Sequence, residues 1–322
     1  DPTAQAAGWL TARVEGALWC SRDVTTDTVA DYVATLATRR EEARVAGGRY
    51  RAEHVKVMVD GVVETQTAAM VEPYLDASGC PCGGHGLSFF DAELLRALTT
   101  ALDAGGFGVH FHALGDRAVR DALDALTAAR QLNGTADRRH HLAHLQVVQP
   151  GDVPRFRQLG ASANIQALWA CHEDQMDELA IPFLGPERSR WQYPFGSLLR
   201  DGATLAMGSD WPVSTPDPLQ AVHVAVNRVA WAGALADPSA AAAYGQPLEA
   251  AEAIPLAAAL RAYTAGSAWV SRFEDRGGTV AVGKDADLVV LSTNPFELPV
   301  DRIGETVVHR TYVGGALVHQ AD

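Results

Sequence analysis

Short runs of apolar and β-branched residues alternate along this chain with longer stretches whose apolar positions recur every three or four residues. The runs Ala12–Leu18, His54–Val59, Gly108–Ala113, His140–Leu145, Ala161–Ile165 and Thr204–Met207 predict six strands. Thr26–Ala43, Phe89–Ala104, Asp116–Gln131, Val153–Leu159, Pro218–Ala230 and Ala251–Tyr263 predict helices. Ser88 is placed to cap the second of these, Gly105-Gly106 to end it, and Asn133-Gly134 to end the third. Strand followed by helix, repeated, is the grammar of parallel strands joined by helical crossovers.

From Gly277 the pattern changes. Gly278–Gly283, Asp287–Leu291, Thr306–Val313 and Ala316–His319 are short β-rich runs separated by Gly, Asp, Asn and Pro. They predict a small β-module over 277–322, following a βα array over 1–276. Gly61–Ser88, rich in Gly and Pro, reads as a long loop after a strand, the place where an insertion covers the active site of a barrel enzyme.

Composition narrows the class of function. With 48% hydrophobic residues the chain can bury a sizeable core, and 26 basic against 39 acidic residues give a formal charge of −13. No Lys/Arg cluster follows any element, so nucleic acid and anionic membrane surfaces are not expected as partners. No apolar run is long enough to span a bilayer and the first residues do not read as a secretion signal, so the expected location is the cytoplasm. Cys20, Cys80, Cys82 and Cys171 are too few for a disulfide scaffold and are expected as reduced thiols, Cys80-Pro81-Cys82 in a loop.

Against this background, polar residues at the C-terminal ends of apolar strands stand out, because an apolar strand gains nothing from them. They are Lys56 in His54–Gly61, His112 in Val109–Asp116, His144 in His140–His144, and Asp210 in Gly208–Pro212. In a (β/α)8 barrel these ends meet at one mouth, where catalytic groups gather. Two imidazoles, a carboxylate and a lysine from four strands make a divalent-metal site with positions left for water. His110 lies two residues before His112 on the same side of its strand and reads as a hydrogen-bonding core residue. Asp116 reads as a helix cap or a partner to a ligand. Arg190, Trp191 and Tyr193 either bind a substrate carboxylate or pack.

These residues resemble the amidohydrolase superfamily, specifically the YtcJ-like amidohydrolase family 3 branch that includes N-substituted formamide deformylases. The motifs that carry the resemblance are Lys56–Gly61 with Glu64, Thr67 and Pro73-Tyr74; His112–Ala118; His144-Leu145-Gln146; Gly208–Val213; Tyr263-Thr264; and Gly283–Leu288. The resemblance runs from about Trp9 to His319, nearly the whole chain. The resemblance implies a TIM-type (β/α)8 barrel with a C-terminal β-module, and a divalent metal, zinc by expectation, as one or two ions. His112 and His144 are implied as its ligands from strands 5 and 6, and Asp210 as ligand and proton shuttle from strand 8. Lys56 on strand 4 is implied as a carboxylated lysine, the alternative being an ordinary lysine paired with Asp60 or Glu64. His85, in the Gly-rich loop, is a candidate for substrate contact, as are Trp169 and Trp211 near strand ends 7 and 8, where core packing is the competing role. The implied reaction is hydrolysis of a small amide; a mononuclear-metal deaminase, with Lys56 unmodified, is the closest competitor.

One departure from the family pattern is large. No His-x-His precedes Lys56, because His54 is the only earlier histidine. Reading His110-Phe111-His112 as that first-strand motif fails on length, since the chain from His112 to Asp210 holds only about three βα units of roughly thirty residues. The barrel is therefore expected incomplete, strands 3 to 8, without strands 1 and 2 and half of the β-module. The missing part is expected from a longer chain, a complementing N-terminal segment or a homo-oligomer; otherwise the chain alone is a catalytically incompetent subunit.

Overall fold

The computed structural model describes residues 7, 9, 10, 12–234 and 244–321. Six strands form one sheet: β1 (Val14–Trp19), β2 (Tyr50–Met58), β3 (Gly108–Ala113), β4 (His141–His144), β5 (Ser162–Ile165) and β6 (Thr204–Met207). They pair in sequence order, and all five pairings are parallel. Each predicted run supplies its strand. Ala12 stands outside β1, and β2 begins four residues before the predicted His54.

Burial explains why these runs become strands. Val55, Val57, Val109, Phe111, Leu142, Ala163 and Ile165 are all fully buried, and successive residues of β3 face opposite sides of the sheet. A strand covered on both faces needs apolar residues at consecutive positions. Helices 92–104 and 116–133 provide much of the cover. Leu94, Leu95, Leu98 and Leu102 line one of them, and Ala118, Ala122, Ala125 and Ala129 recur on the other, letting the two backbones approach closely. A leucine buried this way contributes about 1.5–3 kcal/mol.

Local chemistry moves some expected boundaries. The Asp91 carboxylate caps the second helix by accepting from Glu93 N (3.0 Å) and Leu94 N (2.8 Å), so it starts at Ala92, not at Phe89 behind Ser88. Ser88 instead pairs with Asp60, and Phe89 N donates to Val59 O, so this stretch is held to the end of β2. The predicted helix 251–263 is interrupted before Pro255, which has no N–H to offer and restricts its predecessor; the α-helix runs from Leu256 to Arg261.

The C-terminal sheet is three-stranded and antiparallel: β7 (Leu288–Leu291), β8 (Val308–Val313) and β9 (Ala316–Gln320). Gly278–Gly283 is not a strand. The Lys284 ammonium donates to Glu274 O (2.6 Å), Gly277 O (3.2 Å) and Thr279 Oγ1 (2.6 Å), and this three-way capture folds the segment back on itself. Arg13, just before β1, forms an ion pair with Asp287 beside β7.

Candidate active site

Strand register brings two of the expected residues to nearly one level and sets a third below them. Met58 pairs with His112 and Ala113 with His144, whereas Lys56 pairs with His110, two residues before His112. The exits of β3 and β4 thus present His112 and His144 beside each other, Lys56 stands one layer of side chains deeper, and Asp210 follows three residues after β6.

His112 and His144 are in ring contact, with centroids 4.6 Å apart, and Trp169 stacks on the other imidazole at 5.6 Å. His112 is anchored from behind by Asp60, whose Oδ1 lies 3.2 Å from His112 Nδ1. Asp60 is fully buried and also accepts from Leu114 N (3.2 Å), Gly115 N (2.9 Å) and Ala69 N (3.0 Å). One carboxylate therefore gathers a histidine, the exit of β3 and the long loop. Gly115 is required here, because a Cβ would meet Ala69 O at 2.0 Å.

His144 is held through its backbone. Its N–H donates to Gln166 Oε1 (2.9 Å), whose amide is fixed in turn by Asn164 (3.1 Å). Its side chain ends differently: Nδ1 is buried and has no hydrogen-bond partner among the described residues. The backbone at His144 (φ 80°), Leu145 (φ 54°) and Asp210 (φ 55°) adopts the left-handed conformation that side chains disfavour, a strain that collects at functional sites.

Lys56 Nζ lies 3.0 Å from His110 Nε2, so its nearest partner is the imidazole two residues before His112 and neither Asp60 nor Glu64. Burial pushes the Lys56 ammonium down to about 8, against the opposing pull of Asp210. Burial likewise raises the Asp210 carboxyl, opposed by Lys56 and then His112. His144 is driven well below its ordinary value by burial and by the neighbouring His112. At neutral pH that ring is an uncharged lone-pair donor. Asp210 thus shares an electrostatic neighbourhood with Lys56 and His112, as His144 does.

The donor chemistry fits a divalent cation: two touching imidazoles, one with an orphaned buried nitrogen, beside a lysine and a carboxylate. Among the described residues, however, no three His, Cys, Asp or Glu side chains stand close enough to hold an ion together.

The remaining candidates divide. Trp169 belongs to the site through its stack on His144. Trp211 is 67% exposed. His85 is also exposed, and its Nδ1 sits 3.1 Å from Val71 O, closing the long loop on itself. Asp116 is the first residue of its helix and not its cap; its carboxylate accepts from Val71 N (2.9 Å) and Gln149 Nε2 (3.1 Å), strapping the same loop. Asp60 and Gln166 are the supports that sequence reasoning missed as such. The only signal for Asp60 was a charged residue directly after a wholly apolar strand end.

The sequence pattern of the amidohydrolase family matches residues 6–319. Protein LONG AFTER FAR-RED 3 of Arabidopsis thaliana is 35% identical over 81% of this chain and 42% of its own length. The putative amidohydrolase YtcJ of Bacillus subtilis is 28% identical over 83% and 47%. N-substituted formamide deformylase of Arthrobacter pascens is 28% identical over 78% and 44%. The crystal structure of an uncharacterized metal-dependent hydrolase from Pyrococcus furiosus superposes with a TM-score of 0.66 at 25% identity, over 88% of this chain and 51% of that one. The chain thus spans about half the length of the relatives it matches. With a family pattern covering nearly all of it, the chain belongs to the amidohydrolase family.

Proposed function

We propose that this chain carries one part of the active site of a metal-dependent hydrolase that cleaves the C–N bond of a small amide, with N-substituted formamides as the substrate class. The observation that supports this most is the ring contact of His112 with His144, within electrostatic reach of Lys56 and Asp210, in a chain of this family. His112, His144 and Asp210 would hold the cation, zinc in our reading, with Lys56 joining them as its carbamate. A bound divalent cation would polarise the amide carbonyl and acidify water. Asp210, already raised by burial, takes a proton from the attacking water at its carboxylate and returns it to the leaving amine. Trp169 supplies an apolar face beside His144 for the acyl or amine substituent. Residues 1–276 are in this reading a partial barrel and 277–322 part of a β-module. Four free cysteines agree with a cytoplasmic setting.

Asp210→Asn tests the assignment: in the assembled enzyme turnover falls by about 10²–10⁴-fold while metal content stays at the wild-type level. Turnover within a few-fold of wild type removes Asp210 from proton transfer. A second reading has support of its own. β1 and β6 each have one hydrogen-bonded neighbour among the described strands, and the described residues hold no complete three-ligand set. On that reading the chain is inactive until a complementing segment or a second copy completes it. Zinc binding and amidase turnover of the 322-residue chain alone separate the two.

A further inference from the structure

The segment leaving β4 and the residues following β5 line an open, solvent-facing cavity of about 400 Å³ that none of Lys56, His112, His144 and Asp210 lines. Its volume falls in the range of small-molecule sites. Val148, Pro150, Val153 and Pro154 contribute apolar surface from one segment, and Trp191 and Pro194 contribute it from the other. The two segments are joined by Val148 N donating to Trp191 O (3.2 Å) and Tyr193 N donating to Gln146 O (2.8 Å), two residues beyond His144.

The charges around this cavity do not all cancel internally. Glu252 accepts from Ser197 N and Oγ (2.7 Å each) and pairs with Arg200 (3.3 Å). Asp201 pairs with Arg157 (3.4 Å). Arg190 is left: its guanidinium makes no hydrogen bond or ion pair to any described residue, although its backbone N–H donates to Glu187 O. A lone guanidinium beside an indole and several prolines matches one kind of ligand. Its planar fork accepts a carboxylate through two parallel bonds, while the apolar lining takes a flat or compact hydrocarbon body. A phosphate would need more donors than one arginine supplies.

We infer that this cavity is a second small-molecule site, separate from the candidate active centre, and that it takes a monoanionic carboxylate with an apolar body, anchored by Arg190 against Trp191. The probe is benzoate, titrated into the 322-residue chain while tryptophan fluorescence is followed, with benzyl alcohol as its uncharged counterpart. Benzoate is expected to saturate the signal and to bind about tenfold or more tightly than the alcohol, the gain of a charge-assisted pair. Arg190→Gln is expected to bring benzoate down to the alcohol's affinity, and Trp191→Phe to remove the fluorescence response. Because Arg190 is exposed and without side-chain partners, its substitution leaves the fold intact, which circular dichroism checks. Equal affinity for the two probes, no saturable response to benzoate, unchanged binding by Arg190→Gln, or a full response from Trp191→Phe would each overturn the inference.

Discussion

The two sheets of this chain use the same kinds of residue in opposite ways. In β3 and β4 every apolar side chain is buried, and helices 92–104 and 116–133 pack on β3. In β7 and β9 apolar residues stay open: Val289 is 59% exposed and Val318 59%. An enclosed strand is held by burial, so each of its side chains carries stability. An open antiparallel strand is held by its ladder and its turns, and its valines add little where they stand.

Three substitutions or conditions can break or sharpen this contrast. The largest effect is expected from Phe111→Ala at the centre of the parallel sheet, a loss of about 3–5 kcal/mol measured as a lower urea midpoint. A loss under about 1 kcal/mol would mean that β3 is not enclosed.

Acid should come next, acting on the parallel sheet through its buried histidines. His54, His110 and His141 form a ladder inside it, with ring centroids 5.2 and 4.4 Å apart. Burial drives His141 down to about 3, so the folded chain keeps this ring neutral while the unfolded chain protonates it below about 6.5. The unfolded state then binds more protons. Stability is fully present above that value and falls as the pH drops toward 3, by about 1.4 kcal/mol per pH unit for such a group. Urea midpoints at pH 7 and pH 5 test this, and His141→Gln should flatten the difference.

The smallest effect belongs to the other sheet. Val289→Thr should change stability by no more than about 0.5 kcal/mol in the isolated chain. A much larger loss would show that β7 is covered in solution by something else.

The same contrast accounts for what could be read in advance. Six parallel strands were legible because strands buried on both faces favour apolar runs between the helices, even where, as in His141–His144, polar residues flank a short apolar centre. The C-terminal strands follow no such demand, and the expected strand 278–283 was lost to the hydrogen bonds of Lys284, which no periodicity encodes. At the site, Lys56, His112, His144 and Asp210 were visible as polar residues at apolar strand ends. Their partners were not, because Lys56 meets His110 across neighbouring strands and Asp60 reaches His112 from more than fifty residues away. Trp211 shows the same limit from the other side: position after a strand says nothing about the direction of a side chain that ends up in solvent.

The two carboxylates that strap the long loop have an evolutionary consequence. Asp60 takes Ala69 N and Asp116 takes Val71 N, so the loop is moored near its root by residues belonging to the strand exits themselves. The tip beyond, around Ser78–Gly84, is exposed. A descendant gene could rewrite that tip, residue by residue, while the two carboxylates keep the root of the loop on the strand exits.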